Sequence, residues 1–364
     1  MNAAVLVGAC LCSVLQCLLL AIVVELFLRA FPRLDAATRH RVWLLVVGVA
    51  LALPLVDLAV RANPAAHATQ PARALAAFVL AEPVAFGLLF LWTIASLAFL
   101  TRLGCSLINL VALRRRSTPA NDAVVARVTL RARELGVRAP VRVRTSEEIS
   151  TPISLGFVRG TIVVPNRLLQ TLSDDEIDFV LVHELAHLRR YDGISNLFAK
   201  IARALLVWNP VLLFVERRIA FERELACDET VVALCGRAQR YARCLATVML
   251  SSAAPSAAVP FARSAQQGLR RIDLLLRGGR RGLVPPRFVL AGIAGAIALA
   301  LFLAASTPQL IVLDVPEPAG LASQSGPAFA TARDVVVPAA FQMMPAVVPT
   351  AAPFAAARLF AVKT

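Results

Sequence analysis

The sequence predicts an α-helical membrane protein: four transmembrane helices, with a water-facing α+β domain of residues 114–287 between the third and the fourth. Three observations predict it. The 364 residues are 58% hydrophobic and 17% charged, with a mean hydropathy of +0.71, too apolar for a soluble domain of average composition. The apolar residues gather in uncharged runs, and about 20 helical residues cross a hydrocarbon core. The one long stretch between such runs carries helical and strand-like patterning of its own.

The first run, Ala3–Val24, holds no charge. No Lys or Arg precedes it, so it lacks the basic start of a cleaved signal peptide and reads as a retained helix. Val42–Val60 is broken only by Asp57, and Pro83–Thr101 is uncharged. Phe288–Ala305 is shorter, but it is free of charge and lies between the basic stretch Arg277–Arg287 and a polar tail. Residues 1–113 thus hold three spans and 288–305 the fourth. Gln16 and Asp57 are polar positions inside spans, where signalling or packing contacts are found.

Orientation follows from the arginines, because cytoplasmic loops carry the Lys/Arg excess. The first loop holds Arg29, Arg33, Arg39 and Arg41, and the second only Arg61 and Arg73. Arg114, Arg115 and Arg116 follow the third run, and Arg280, Arg281 and Arg287 precede the fourth. The N-terminus and the tail are therefore expected outside and residues 114–287 in the cytoplasm, as in a multi-pass membrane protein. The tail, residues 306–364, is rich in Pro and Ala and reads as extended or disordered.

The chain carries 38 Lys+Arg against 23 Asp+Glu, a formal +15, and only Lys200 and Lys363 are lysine. In residues 114–287 the charge is spread evenly with no aromatic interleaving, and the lipid bilayer beside it is anionic. That surface faces membrane, and direct nucleic-acid binding is not expected. Seven cysteines, three of them in the first run and none in a CxxC pair, argue against a disulfide framework and thiolate metal binding.

Within the domain, Asn121–Leu135 has helical periodicity. Val141–Thr145, Thr151–Phe157 and Gly160–Pro165 are short β-branched runs between turn residues, a small sheet. Ser173 followed by Glu176 is a capping-box signature for the helix that continues through HELAH. Ala204–Val215 is apolar but too short to span. It either dips toward the membrane or packs against the spans, or else is a core helix pair broken at Pro210.

HELAH places His183 and His187 one turn apart on one helix face, where two imidazoles bind one Zn2+. Glu184 is turned away from the metal but stays beside the water that a metal would acidify, so it is the general-base candidate. The remaining histidines, His40 and His67, lie in membrane-proximal loops, so a carboxylate must be the third ligand of a catalytic site. The FERELACDE helix, Phe221–Glu229, offers Glu224 for the metal and Asp228, four residues on, to hold a ligating histidine from behind.

LVHELAHLRRYD (Leu181–Asp192), WNP (Trp208–Pro210), ERELACDE (Glu222–Glu229) and YARCL (Tyr241–Leu245) together resemble the BlaR/MecR-type integral-membrane zinc metallopeptidases, which are antirepressor and regulatory-sensor peptidases. The resemblance covers roughly residues 141–275 and extends to the four-span topology. It implies a gluzincin-type zinc metallopeptidase domain with Zn2+ on His183, His187 and Glu224 and with Glu184 as base. It also implies an edge strand, Gly160–Val164, that takes the substrate backbone. The implied action is regulatory proteolysis: an outside signal leads to cleavage of a DNA-binding repressor, of the chain itself, or of both, and a homodimer is among the implied assemblies. The best-known members carry a penicillin-binding sensor with SxxK after the last span. Neither lysine here fits SxxK, so β-lactam acylation is not expected. Two alternatives stand beside this reading: an HtpX-type quality-control peptidase, whose usual sequence after the second histidine differs from RRYD, and a non-catalytic transducer with a structural metal site.

Overall fold

A computed structural model describes residues 3–62, 76–79, 81–156, 160–251, 258–278 and 311–314, with isolated helical positions between 292 and 298. In chain order the elements begin with α1 (Ala3–Ala30), α2 (Ala36–Ala62), β1 (Ala76–Val79) and α3 (Glu82–Arg116). Among the described residues these three helices are long and apolar enough to cross a membrane, where the first three uncharged runs predicted spans. Apart from those isolated positions the fourth run lies outside the described residues, as does nearly all of the tail. The exception is β6 (Ile311–Asp314), which pairs in parallel with β1.

α3 is 35 residues, about 52 Å at 1.5 Å per residue. It is therefore longer than a hydrocarbon core of about 30 Å. After it come β2 (Thr118–Pro119), α4 (Asp122–Glu134), β3 (Arg142–Ser146), β4 (Ile153–Leu155), β5 (Thr161–Pro165) and α5 (Asn166–Thr171). Asn121 caps α4 by accepting the Val124 N–H at 2.9 Å. The sheet order is β2-β3-β5-β4, with β3 and β5 parallel and β4 antiparallel to β5.

That order corrects one expectation. Residues 160–164 do not form an edge: β5 lies between β3 and β4 and is buried at all five positions. An uninterrupted apolar run belongs in a strand covered on both faces, and TIVV is such a run. The edge beside the cleft is β4, half-buried along its length.

The helical half follows: α6 (Asp174–Arg189), α7 (Asp192–Leu205), α8 (Val211–Cys235), α9 (Ala238–Ser251) and α10 (Ala258–Leu276). The predicted capping box is present, with Glu176 accepting the Ser173 N–H at 2.9 Å. Leu181, Val182 and Leu185 bury one face of α6 in the core that also holds Ile162 and Val164 of β5.

Ala204–Val215 is neither a span nor a feature of a separate core. α7 and α8 form a hairpin that packs into the spans, turning at 206–210. Ala199, Ala202, Val215 and Ile219 share a hydrophobic cluster with Leu20, Val24, Trp43 and Val46 of α1 and α2. At the turn, Leu206 and Leu212 join Cys17, Ala50 and Leu53. Trp92 of α3 donates to the Leu205 carbonyl at 2.9 Å and meets Trp208 edge to face at 5.0 Å. At its other end α8 is gripped by the start of α2. Arg39 Nε lies 3.0 Å from Glu222 Oε1, and the Ala36 N–H donates to Glu229 at 3.1 Å.

Candidate active site

His183 and His187 stand on α6 with ring centroids 4.9 Å apart, and α8 brings Glu224 across from them. His183 Nε2 is 3.5 Å from Glu224 Oε2, and His187 Nε2 is 3.9 Å from Oε1. Ligand atoms of all three residues lie within 4.8 Å of one another, a group able to hold a metal ion. Two imidazoles and one carboxylate are the donor set of an open tetrahedral Zn2+ site, so the residues fit the metal.

The other ring nitrogens face away from this group, each onto an anchor. His187 Nδ1 is 2.8 Å from Asp192 Oδ2. His183 Nδ1 is 3.0 Å from Tyr241 Oη and 3.3 Å from Asp228 Oδ1, and Tyr241 Oη donates to Asp228 at 2.5 Å. Arg271, from α10, donates twice to Asp228, each at 2.7 Å, and lies 3.4 Å from Glu224. Carboxylates behind metal-binding imidazoles fix the tautomer and raise the basicity of the inward nitrogen.

Electrostatics follow from this packing. Burial opposes charge on His183, but hydrogen bonds to Asp228 and Glu224 raise its pKa to about 9. The site without metal therefore holds a proton that a cation must displace. Burial alone would raise Asp228, yet the charge and hydrogen bonds of Arg271, with His183, hold it down to about 2. Glu224 is likewise lowered, against burial, by His183, His187 and Arg271. Burial and Asp228 push the Tyr241 phenol up, so it stays a proton donor. Cys227 Sγ is 3.3 Å from His187 Nδ1, and with Asp192 these form a second metal-type group. Burial and Asp192 hold that thiol protonated, and the His187 nitrogen it faces is already taken by Asp192, so the first group is the better metal site.

Asp192 reaches His187 because Tyr191 turns the chain sharply between α6 and α7. Tyr191 is the one non-glycine with positive φ (54°) among the described residues. A left-handed tyrosine is strained, and such strain gathers at functional sites.

The three donors line a cleft of about 550 Å³ with Glu184, Tyr241 and Arg271. One wall is the Thr151–Gly156 segment containing edge strand β4, and another is α3, through Leu103, Ser106, Leu107 and Leu110. The structure therefore brings together every predicted site residue: His183, Glu184, His187, Glu224 and Asp228. Sequence reasoning gave no role to Asp192, Tyr241 or Arg271. Asp192 and Tyr241 did lie in the segments that carried the resemblance, whereas Arg271 gave no local signal.

A three-donor group able to hold a metal lies beside Glu184 on a chain with three membrane-length helices, an arrangement compatible with metallopeptidase chemistry. The sequence matches the family described as BlaR1 peptidase M56 over residues 9–275, and the chain belongs to that family. It is 28% identical over 97 residues to the methicillin resistance mecR1 protein of Staphylococcus aureus, covering 27% of this chain and 17% of that one. To the regulatory protein BlaR1 of Bacillus licheniformis it is 30% identical over 99 residues, 27% of this chain and 16% of the relative. To BlaR1 of Staphylococcus aureus it is 24% identical over 90 residues. The chain thus spans only about a sixth of the length of the curated relatives it matches.

Proposed function

We propose that the chain is a zinc-dependent endopeptidase of a bacterial inner membrane that acts in regulatory proteolysis. Its substrate is a cytoplasmic regulatory protein such as a DNA-binding repressor, a segment of the chain itself, or both, and cleavage answers a signal from outside. His183, His187 and Glu224 hold Zn2+, and Asp228 and Asp192 hold the two histidines in place. The carrying observation is that both Nε2 atoms face Glu224 while both Nδ1 atoms are anchored behind.

Bound Zn2+ supplies a Lewis acid that polarises the scissile carbonyl and acidifies water. Edge strand β4 receives the substrate backbone by strand addition along the cleft. Glu184 takes the proton of the attacking water and passes it to the leaving amine. Asp228 and Asp192 hold the histidine tautomers through that transfer.

The names of the relatives, a methicillin resistance protein and a regulatory protein, support a regulatory role. The parallel pairing of β1 with β6 supports a fourth crossing, since β1 lies between the second and third spans and β6 follows the fourth run. The arginine distribution supports a cytoplasmic site.

The test compares new protein N-termini in cells expressing the wild type, Glu184→Gln and His187→Ala, with zinc content measured on each purified protein. Glu184→Gln should abolish cleavage and keep the metal, and His187→Ala should lose both. Cleavage by Glu184→Gln would refute the assigned base.

A further inference from the structure

Cys227 sits behind a histidine that already has its anchor. Along α8, Glu224, Cys227 and Asp228 share one face, at spacings of three and four residues. Glu224 faces both imidazoles, Asp228 reaches the back of His183, and Cys227 reaches the back of His187. His187 Nδ1 is held by Asp192, which the left-handed turn at Tyr191 brings there. One acceptor is enough to hold a tautomer. The thiol is thus a further donor of a softer kind, fully buried and unused by the mechanism above.

The three donors come from three elements: His187 from α6, Asp192 from the start of α7 and Cys227 from α8. Nδ1 is 2.8 Å from Oδ2 and 3.3 Å from Sγ, and Sγ is 3.7 Å from Oδ2. Bonds of about 2.0–2.3 Å in a tetrahedral arrangement separate such donors by roughly 3.4–3.6 Å. Both sulfur contacts lie within about 0.3 Å of that range, and only the Nδ1–Oδ2 hydrogen bond has to open, by about 0.6 Å. The charges of Asp192, Glu224 and Asp228 bear on the buried sulfur, with Arg190 opposing them, a balance that attracts a cation. His187 and Asp192 border the cleft, which gives an ion its way in. No CxxC pair announces such a site in the sequence, because the turn at Tyr191 and the packing of α8 on α6 assemble it.

We infer that His187 Nδ1, Asp192 Oδ2 and Cys227 Sγ form a second metal site, for a thiophilic divalent cation such as Cd2+ or excess Zn2+, whose filling loosens zinc at the first. The antagonism rests on the zinc site proposed above, whereas the second site stands without it. Filling it releases the thiol proton and the Nδ1 proton to solvent, and Asp192 exchanges an accepted hydrogen bond for a metal bond. His187 then lies between two cations and has lost the carboxylate that made Nε2 more basic. Zinc on the inner side should therefore bind about 10–100-fold more weakly, the loss expected when such an anchor is removed. The sulfur also selects the ion, since Ca2+ takes oxygen donors.

The test uses the full chain in phospholipid nanodiscs, loaded with Zn2+ and titrated with Cd2+. Each protein carries Cys105→Ser, which removes an exposed thiol. The inner group contains no sulfur, so the ultraviolet charge-transfer band of a thiolate–Cd2+ bond reports the second site. The band should appear in this parent and be lost in both Cys227→Ser and Cys227→Ala. Chelator competition should show zinc affinity falling about 10–100-fold with Cd2+ in the parent and unmoved by Cd2+ in the two variants. Ca2+ should change neither reading. A band of equal strength without Cys227 would overturn the site, and a zinc affinity indifferent to Cd2+ in the parent would overturn the antagonism. Glu184-dependent cleavage, each protein compared with its own cadmium-free rate, should be more sensitive to Cd2+ in the parent than in the variants. Absence of that cleavage even without Cd2+ would count against the peptidase reading, while the band still decides the second site.

Discussion

Replacing Arg39 by Met removes a charge from between the first two spans and should weaken the metal site. The Arg39 and Glu222 side chains retain only 8% and 2% exposure, with Nε 3.0 Å from Oε1, and Arg39 also donates to the Leu28 carbonyl at 2.8 Å. At that distance and an effective dielectric of about 20, the attraction is about 5–6 kcal/mol before desolvation. Removing one half of a buried pair costs about 3–5 kcal/mol, because the other charge stays buried. At roughly 2–4 °C per kcal/mol for a unit of this size, the unfolding midpoint in nanodiscs should fall by roughly 6–20 °C. Since Glu222 is two residues from Glu224 on α8, bound zinc should fall as well. Arg29→Ala is the control: its pair with Glu25 is an exposed i,i+4 contact contributing about 0.3–0.5 kcal/mol. The double change Arg39→Met with Glu222→Leu should recover most of the loss. A midpoint for Arg39→Met equal to that of Arg29→Ala would refute the account of α8 as clamped by the first loop.

Three further outcomes are expected. Asp192→Asn should weaken zinc binding by about 10–100-fold, measured by competition with a chromogenic chelator, because His187 loses the carboxylate behind it. Asp228 has a depressed pKa, so its contribution to stability is present above the ordinary value of 3.8 and lost as pH falls through about 2. Arg271→Met removes the main charge holding it down, so the loss should begin at higher pH and the acid-unfolding midpoint of the metal-free protein should move up. Tyr191→Gly should relieve a left-handed backbone and stabilise by about 1 kcal/mol, a midpoint gain of roughly 2–4 °C, since the tyrosine side chain is mostly exposed.

What could be read from the sequence was local. HELAH, its capping box, the ExxxD spacing of Glu224 and Asp228, and the three strand runs each sit within a few residues, where helix and strand periods dictate who faces whom. Asp192 is also local, five residues from His187, but a helical period would carry it off that face, and only the turn at Tyr191 brings it back. Tyr241 and Arg271 reach the site across 58 and 43 residues of chain, a distance set by how α9 and α10 pack on α8. The order of the strands depends on crossovers, which is how an interior strand came to be expected as an edge, although its unbroken apolar run already marked it as covered. The hairpin was legible as an apolar stretch, but its packing against the first three helices became clear only from Trp92 and the clusters shared with α1 and α2.

The bond between Arg39 and Glu222 joins positions 183 residues apart. At about 5–20 residues per second, a ribosome needs roughly 10–40 s to deliver α8 after Arg39 has been made. The first two helices are thus made long before the helix that will bury Arg39 exists. The hairpin then packs against helices made before it, so the order of synthesis decides which apolar surfaces must wait for their partners.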